Sequence, residues 1–166
     1  MTTFYVQRAC SPTRGALLTG RYNIRCGFQS GVLTDHNSWS LPLNETTLPQ
    51  IVRRAKPSAA CHMVGKWHLG YHRWEHTPTF RGFESFLGYY SGDMDYFTHM
   101  GDCGGFDLKL ENQPRCGPNC SRHFWEAAGK YSTHLFTERA VSTIEAHNES
   151  RPLFLYLPYQ AVHSIH

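Results

Sequence analysis

Short apolar runs bounded by helix-breaking residues constrain the fold of this chain more than any other feature. Leu153–Leu157 stands between Pro152 and Pro158, and Cys61–Val64 leads directly into Gly65. Both runs are far too short to cross a membrane as a helix, which needs about 20 apolar residues. Continuous apolar runs of this length are typical of strands that are buried on both faces. The sequence therefore predicts two fully buried strands.

Helical patterns flank these strands. Ser11 is a good N-cap ahead of Pro12, which favours a helix over about 12–22. Thr47 and Gln50 have capping-box spacing and predict the start of a second helix. The helical period returns over 132–147. The side chains expected to face the core are Leu17, Leu18, Phe136, Ala140 and Ile144.

The order of these elements predicts one α/β domain over residues 1–166, without a second domain. Phe4–Val6 is short and β-prone, and the stretch 71–119 is rich in Gly, Pro, Asp and aromatic residues, which predicts long loops with brief strands. Helices that alternate with apolar strands favour a mostly parallel, or mixed, sheet sandwiched by helices. In such sheets, ligand-binding groups gather beyond the carboxyl ends of the strands.

The composition indicates a secreted globular protein. Charged residues are scattered, and the formal net charge is only +3, so nucleic acid binding is not expected. A membrane span is not expected either, because the longest apolar run is Leu153–Leu157. Six cysteines and the glycosylation acceptors Asn44, Asn119 and Asn148 favour the secretory pathway. Residues 1–8 carry no signal peptide pattern. We therefore expect the chain to be a fragment that lacks its N-terminus.

Three groups of residues could carry chemistry at the predicted strand ends. Cys10 and Arg14 lie at the start of the first helix, where backbone N–H groups favour an anion. Lys66 and His68 follow the Cys61–Val64 strand and offer a cation and a proton donor or acceptor. His163 follows the second strand. Taken singly, each also fits an ordinary structural residue.

Taken together, these groups resemble the two signatures of the type I, formylglycine-dependent sulfatase family. Cys-x-Pro-x-Arg at 10–14 and Leu-Leu-Thr-Gly-Arg-Tyr at 17–22 match the first signature, and Gly-Lys-Trp-His-Leu-Gly at 65–70 matches the second. The similarity extends over nearly the whole chain and is strongest to the arylsulfatase B, I and J group. It implies an incomplete alkaline-phosphatase-like superfold and hydrolysis of sulfate esters, with N-acetylgalactosamine 4-sulfate units of glycans as the nearest substrate class.

The resemblance also assigns roles to the residues. Cys10 would be converted to formylglycine by the formylglycine-generating enzyme, and one hydroxyl of its hydrate would attack sulfur while the other later expels sulfate. Arg14 would hold the hydrate, and Lys66 would bind the sulfate. His68 would take a proton from the hydrate. His163 would touch the sulfate and help protonate the leaving oxygen.

The same resemblance implies a calcium or magnesium ion, with modified Cys10 as one of its ligands. The family's other metal ligands, an upstream Asp pair and a downstream Asp-Asn pair, have no counterpart in the chain. A hard cation needs six or more oxygen ligands. We therefore expect this chain alone to bind the metal weakly and to be inactive as an enzyme.

The remaining cysteines allow two readings. His99, Cys103, Cys116, Cys120 and His123 have a spacing that resembles a small zinc site. The arylsulfatase resemblance instead implies a Cys103–Cys116 disulfide in a lysosomal or extracellular protein. The pairing of Cys26, Cys61 and Cys120 stays open. Two further functions therefore compete with the hydrolase: a truncated, non-catalytic sulfatase-like protein and a zinc-stabilised binding module.

Overall fold

The computed structural model describes residues 2–164, which form a mixed five-stranded sheet between helices. The strands are β1 (Ala60–Lys66), β2 (Ser85–Tyr89), β3 (Lys109–Glu111), β4 (Arg122–His123) and β5 (Leu153–Tyr156), and their spatial order is β4-β3-β2-β1-β5. The helices are α1 (Cys10–Thr19), α2 (Leu48–Ala55) and α3 (Ser132–Glu145). β2 and β5 both pair with β1 in parallel, whereas β3 and β4 add antiparallel pairs at one side. This is the predicted fold class.

The alternation of side chains along β1 builds a separate core on each face of the sheet. Cys61 and Met63 join a cluster with Leu18 of α1 and the half-buried Val52 of α2. Val64 points the other way, into a cluster that includes Phe136 of α3. The sheet therefore lies between α1 and α2 on one side and α3 on the other. The carboxyl ends of β1, β2 and β5 meet at one edge, close to the start of α1.

The predicted elements are confirmed with shifted ends. α1 begins at Cys10 and not at Pro12, because Ala9 in extended conformation is the N-cap and Ser11 lies inside the helix. It ends before Gly20, whose left-handed conformation (φ 68°) stops the helix. α2 begins as its capping box predicts, and the Gln50 side chain accepts from the Thr47 N–H at 2.9 Å.

Three details of the prediction were wrong. Phe4–Val6 is exposed coil and not a strand, and Leu17 and Ile144 face solvent. Leu153–Tyr156 is a strand, but Leu153 is 36% exposed, because β5 is the edge of the sheet and pairs on one side only. The apolar pattern of a strand therefore indicates which of its faces are covered by the core, but it does not indicate whether the strand has a neighbour on both sides.

Candidate active site

Cys10 is the first residue of α1 and lies beside the carboxyl ends of β1 and β5. Its side chain is half-buried and lines a pocket of about 420 Å³ together with His68 and His163. The Ser11 hydroxyl, one residue on, is fully buried and accepts a hydrogen bond from the Leu33 N–H at 3.1 Å. This bond fixes the start of the helix against the loop 32–36, which forms another wall of the pocket.

Arg14 connects α1 to the last residue of β1. Its Nη1 donates to the carbonyl oxygen of Lys66 at 2.7 Å. Its Nε is buried without a hydrogen-bond partner among residues 2–164. Arg14 does not line the 420 Å³ pocket but borders an adjoining cleft of about 610 Å³ that Cys10 and His163 also line. The guanidinium therefore places a fixed positive charge behind Cys10.

Lys66 is a buried cation. It is 1% exposed, and within residues 2–164 its Nζ has no hydrogen-bond partner. Burial lowers its pKa, and the positive charge of Arg14 acts in the same direction, whereas Cys10 and Asp93 partly offset the shift. An unpaired buried ammonium group is costly to a fold. Its retention beside Cys10 therefore indicates a site for an anion.

The conformation of β1 is what brings Lys66 to this position. Gly65 has a φ of 118°, and a Cβ there would lie 2.2 Å from the carbonyl oxygen of Pro158. Only glycine allows this approach, because any side chain would push the backbone after β5 away. The same carbonyl accepts from the Lys66 N–H at 3.0 Å. The strand thus extends one residue beyond the predicted end at Gly65.

His68 is held as a neutral hydrogen-bond acceptor. It is 3% exposed, and its Nε2 donates to the Leu33 carbonyl at 2.7 Å. Since a carbonyl can only accept, Nε2 carries the proton and Nδ1 presents a lone pair. This Nδ1 is buried and has no partner within residues 2–164. Burial, aided by the charge of Lys66, lowers the pKa of His68 to about 3.

His163 reaches the pocket from the segment that follows β5. Its Nδ1 lies 3.0 Å from Oδ1 of Asp93, which follows β2 at the same edge of the sheet. The Tyr96 hydroxyl donates to the backbone carbonyl of His163 at 2.8 Å. Gln160 ties the segment to the rest of the fold, because its side-chain oxygen accepts from the buried Ser132 hydroxyl at 2.7 Å. His163 is therefore oriented by a carboxylate and anchored through its own backbone.

Sequence reasoning missed the acidic part of this pocket. Asp35, Asp93 and Asp102 line it, together with His36 and Cys103. Asp93 had a usable signal, because it comes shortly after the carboxyl end of a strand. The other four residues lie on loops that no periodicity connects to the site.

The described residues do not fit the metal site that the resemblance implies. Within residues 2–164, no group of three or more His, Cys, Asp or Glu side chains is placed to hold a metal ion. The pocket aspartates are separate from one another, and Asp93 is engaged with His163. The described residues therefore supply no complete ligand set for calcium or magnesium.

The predicted disulfide was wrong. The structure pairs Cys116 with Cys120, whose Cα atoms lie 5.4 Å apart in a tight turn. Cys103 stays a free, exposed thiol with its Sγ 3.8 Å from Nε2 of His36. The arylsulfatase resemblance implied the partner across the loop, but the turn after Cys116 brings a nearer thiol. The zinc array loses two of its thiols to this disulfide.

The three glycosylation acceptors stay predictions. Asn44, Asn119 and Asn148 are all exposed. The hydroxyl of Ser121, which completes the Asn119 acceptor, donates to the buried Glu111 at 3.0 Å.

Comparisons with known proteins agree with the geometry. The sequence model described as Sulfatase matches residues 1–166. The chain is 40% identical to arylsulfatase J of Mus musculus over 170 residues, which covers 99% of this chain and 26% of that protein. It is 32% identical to arylsulfatase A of Homo sapiens over 183 residues, covering 98% of this chain and 34% of the relative. The chain thus spans about a quarter to a third of the length of these relatives.

Solved structures show the same architecture. The crystal structure of Ps i-CgsB superposes with a TM-score of 0.75 at 25% identity, over 94% of this chain and 35% of that one. PsFucS1 sulfatase from Pseudoalteromonas sp. gives a TM-score of 0.73 at 18% identity, over 99% of this chain and 36% of that one. The fold is therefore the alkaline-phosphatase-like fold of these proteins, present in part.

Proposed function

Because the chain belongs to the sulfatase family, we propose that it supplies the nucleophile-bearing part of a sulfuric ester hydrolase. The observation that carries the proposal is the buried, unpaired Nζ of Lys66 beside Cys10 at the start of α1. A helix start, an unpaired ammonium group and a fixed guanidinium together favour a tetrahedral anion at this edge of the sheet. The family supports a sulfate ester as that anion.

Cys10 is the proposed nucleophile after conversion to formylglycine by the formylglycine-generating enzyme of the secretory pathway. Its half-exposed position at the mouth of two connected clefts suits both the modification and the approach of a substrate. One hydroxyl of the hydrated side chain would attack sulfur, and the other would later collapse to the aldehyde and expel sulfate, whereas an unmodified thiol would be trapped as a covalent ester. Arg14, fixed on the Lys66 carbonyl, holds its charge behind this position.

The other residues divide the work by charge and protonation. Lys66 neutralises the sulfate in a water-poor setting, where electrostatic stabilisation is strongest. His68 accepts a proton at Nδ1, because its Nε2 is committed to Leu33. His163 donates toward the leaving oxygen, and Asp93 orients its ring through Nδ1. No other described group is needed for these three roles.

The finer assignments extend the family resemblance. We propose a sulfated glycan or aryl sulfate as substrate, with N-acetylgalactosamine 4-sulfate as the nearest reference. The relative Ps i-CgsB was solved in complex with k-i-k-neocarrahexaose, which supports a glycan. A calcium or magnesium ion would act in the complete enzyme, and the protein would reside in a lysosome or outside the cell. No helix among residues 2–164 is long and apolar enough to cross a membrane.

Sulfate release from an aryl sulfate tests the proposal. The full-length gene product, expressed in a secretory eukaryotic host, should release sulfate, and Cys10→Ala should abolish the release. Cys61→Ala is the matched control, because Cys61 is fully buried in β1 and burial raises its pKa to about 11. Equal activity of the Cys10→Ala variant and the control would overturn the proposal.

A further inference from the structure

The pocket beside Cys10 has an acidic wall of which the proposed chemistry uses only Asp93. Of the described residues that line it, three are aspartates and none is a lysine or an arginine. Asp93 is engaged with His163. Asp35 and Asp102 stand on two separate loops, 32–36 and 101–103.

Hydrogen bonds hold both loops in place beside the pocket. The residues before Asp35 are tied to the catalytic elements, because Leu33 donates its N–H to Ser11 and accepts from His68. Asp35 itself accepts a hydrogen bond from the Tyr71 hydroxyl, and burial together with this carboxylate raises the pKa of Tyr71.

Asp102 follows a small antiparallel ladder. Gly101 bridges to Met94, which comes directly after Asp93, and the Gly101 N–H donates to the Gly105 carbonyl at 2.8 Å. The backbone therefore holds Asp102 beside the same pocket that Asp93 and His163 line.

A second, independent observation points to a ligand in this pocket. His68 lines the pocket and is only 3% exposed. Its Nδ1 has no hydrogen-bond partner among residues 2–164. Nδ1 is an acceptor, as are both carboxylates. A ligand in the pocket would therefore need hydrogen-bond donors to bind these three groups.

Resting on the proposed function, we propose that Asp35 and Asp102 form a selectivity wall that recognises hydroxyl or ammonium groups next to the sulfate ester. A carboxylate accepts strong hydrogen bonds from a sugar hydroxyl or an ammonium group. A second sulfate or a carboxylate at that position would face like charges instead. The substrate class is therefore a singly sulfated unit whose neighbouring groups are hydroxyls or amines.

Three matched aryl sulfates test this wall. The probes are phenyl sulfates that carry an aminomethyl, a hydroxymethyl or a carboxylate group at the meta position, and the readout is kcat/KM for sulfate release by the full-length gene product. The Asp102→Asn and Asp35→Asn variants keep the size and one acceptor of each side chain. Asp102 is exposed, so its variant folds even where that of the half-buried Asp35 does not. Glu149→Gln removes the same charge from an exposed loop at the other end of α3 and is the control.

The wild-type protein and the control should prefer the aminomethyl and hydroxymethyl probes. Each aspartate variant should raise kcat/KM for the carboxylate probe relative to the hydroxymethyl probe by about three- to tenfold, the size expected for one partly screened like-charge contact. Release from all three probes with the same ratio in wild type and variants would overturn the wall and leave the proposed function standing. Release from none of them would overturn the proposed function, and the wall with it.

Discussion

At the scale of single residues, the site is built from groups that are costly to the fold. Lys66 is a buried cation without a hydrogen-bond partner, and His68 has an unpaired nitrogen in residues 2–164. Folded proteins satisfy most buried polar groups, so such exceptions need an explanation. A sulfate ester that accepts from Lys66, together with a hydroxyl of the proposed hydrate at position 10 that donates to Nδ1 of His68, would satisfy both. The same ligand contacts would therefore explain both the proposed roles of Lys66 and His68 and the burial of their unpaired atoms.

Replacing Lys66 should separate catalysis from stability. We expect Lys66→Met to lower kcat/KM for an aryl sulfate by about 10²- to 10³-fold, because the charge that stabilises the transition state is lost. The free energy of unfolding should stay equal or rise, since an unpaired buried charge is removed. Steady-state kinetics and urea unfolding check the two parts. Lys130→Met, on an exposed loop, should change neither, and a Lys66 variant that unfolds easily but keeps its activity would show a structural role.

At the scale of elements, the strand β1 positions the site and β3 supports the loop that follows β2. Glu111 of β3 is fully buried and accepts hydrogen bonds from Thr79 at 2.6 Å, from Ser121 at 3.0 Å and from the Tyr90 hydroxyl. Asp107, just before β3, accepts from the N–H groups of Tyr90 and Ser91 at 3.0 and 2.8 Å. These carboxyl groups hold the backbone that leads to Asp93.

Glu111 makes the stability of this region depend on pH. Burial raises its pKa from 4.5 to about 7, so the folded state binds a proton that the unfolded state has already lost. Its contribution to stability is complete below pH 4.5 and is lost as the pH rises through 7. We expect wild type to lose about 1–3 kcal/mol relative to Glu111→Gln between pH 4 and pH 8.

Urea unfolding at a series of pH values measures this difference. Glu138→Gln, on the exposed face of α3, should track wild type at every pH. A wild-type minus Glu111→Gln difference that stays constant with pH would contradict the assignment.

The elements also show what a sequence can and cannot predict. The capping box at Thr47 and the apolar strand at Cys61 are local signals, and the structure confirms both. The exposure of β5 depends on its place at the edge of the sheet, which its own residues do not encode. The pairing of Cys116 with Cys120 depends on a turn within a loop. Asp35 and Asp102 lie on loops, whose sequences have no hydrophobic periodicity, so their position at the pocket could be seen only in the folded structure.

At the scale of the whole molecule, the chain contributes one side of the proposed catalytic site. It spans about a quarter to a third of the length of its relatives. The exposed Leu17 and the last residue of the edge strand β5, Tyr156, line the same cleft as Cys10 and Arg14. The five residues proposed for catalysis meet at this end of the sheet, whereas residues 2–164 contain no group of three or more possible metal ligands. We therefore predict that the proposed sulfate contacts are separate from metal binding.

Calorimetric titration checks that separation. The 166-residue chain should bind calcium more weakly than about 1 mM, because six or more oxygen ligands are needed and the described residues offer no cluster of three. A heat signal that saturates below millimolar calcium would contradict the prediction. The Asp93→Asn variant would then show whether the pocket aspartates supply the ligands.

The proposed chemistry depends on the chemical form of the side chain at position 10. The most direct measurement is mass spectrometry of the peptide that contains Cys10, taken from the full-length gene product after secretion from eukaryotic cells. We predict an aldehyde in place of the thiol in the protein that releases sulfate. An unmodified thiol at Cys10 in a protein that still hydrolyses sulfate esters would contradict it.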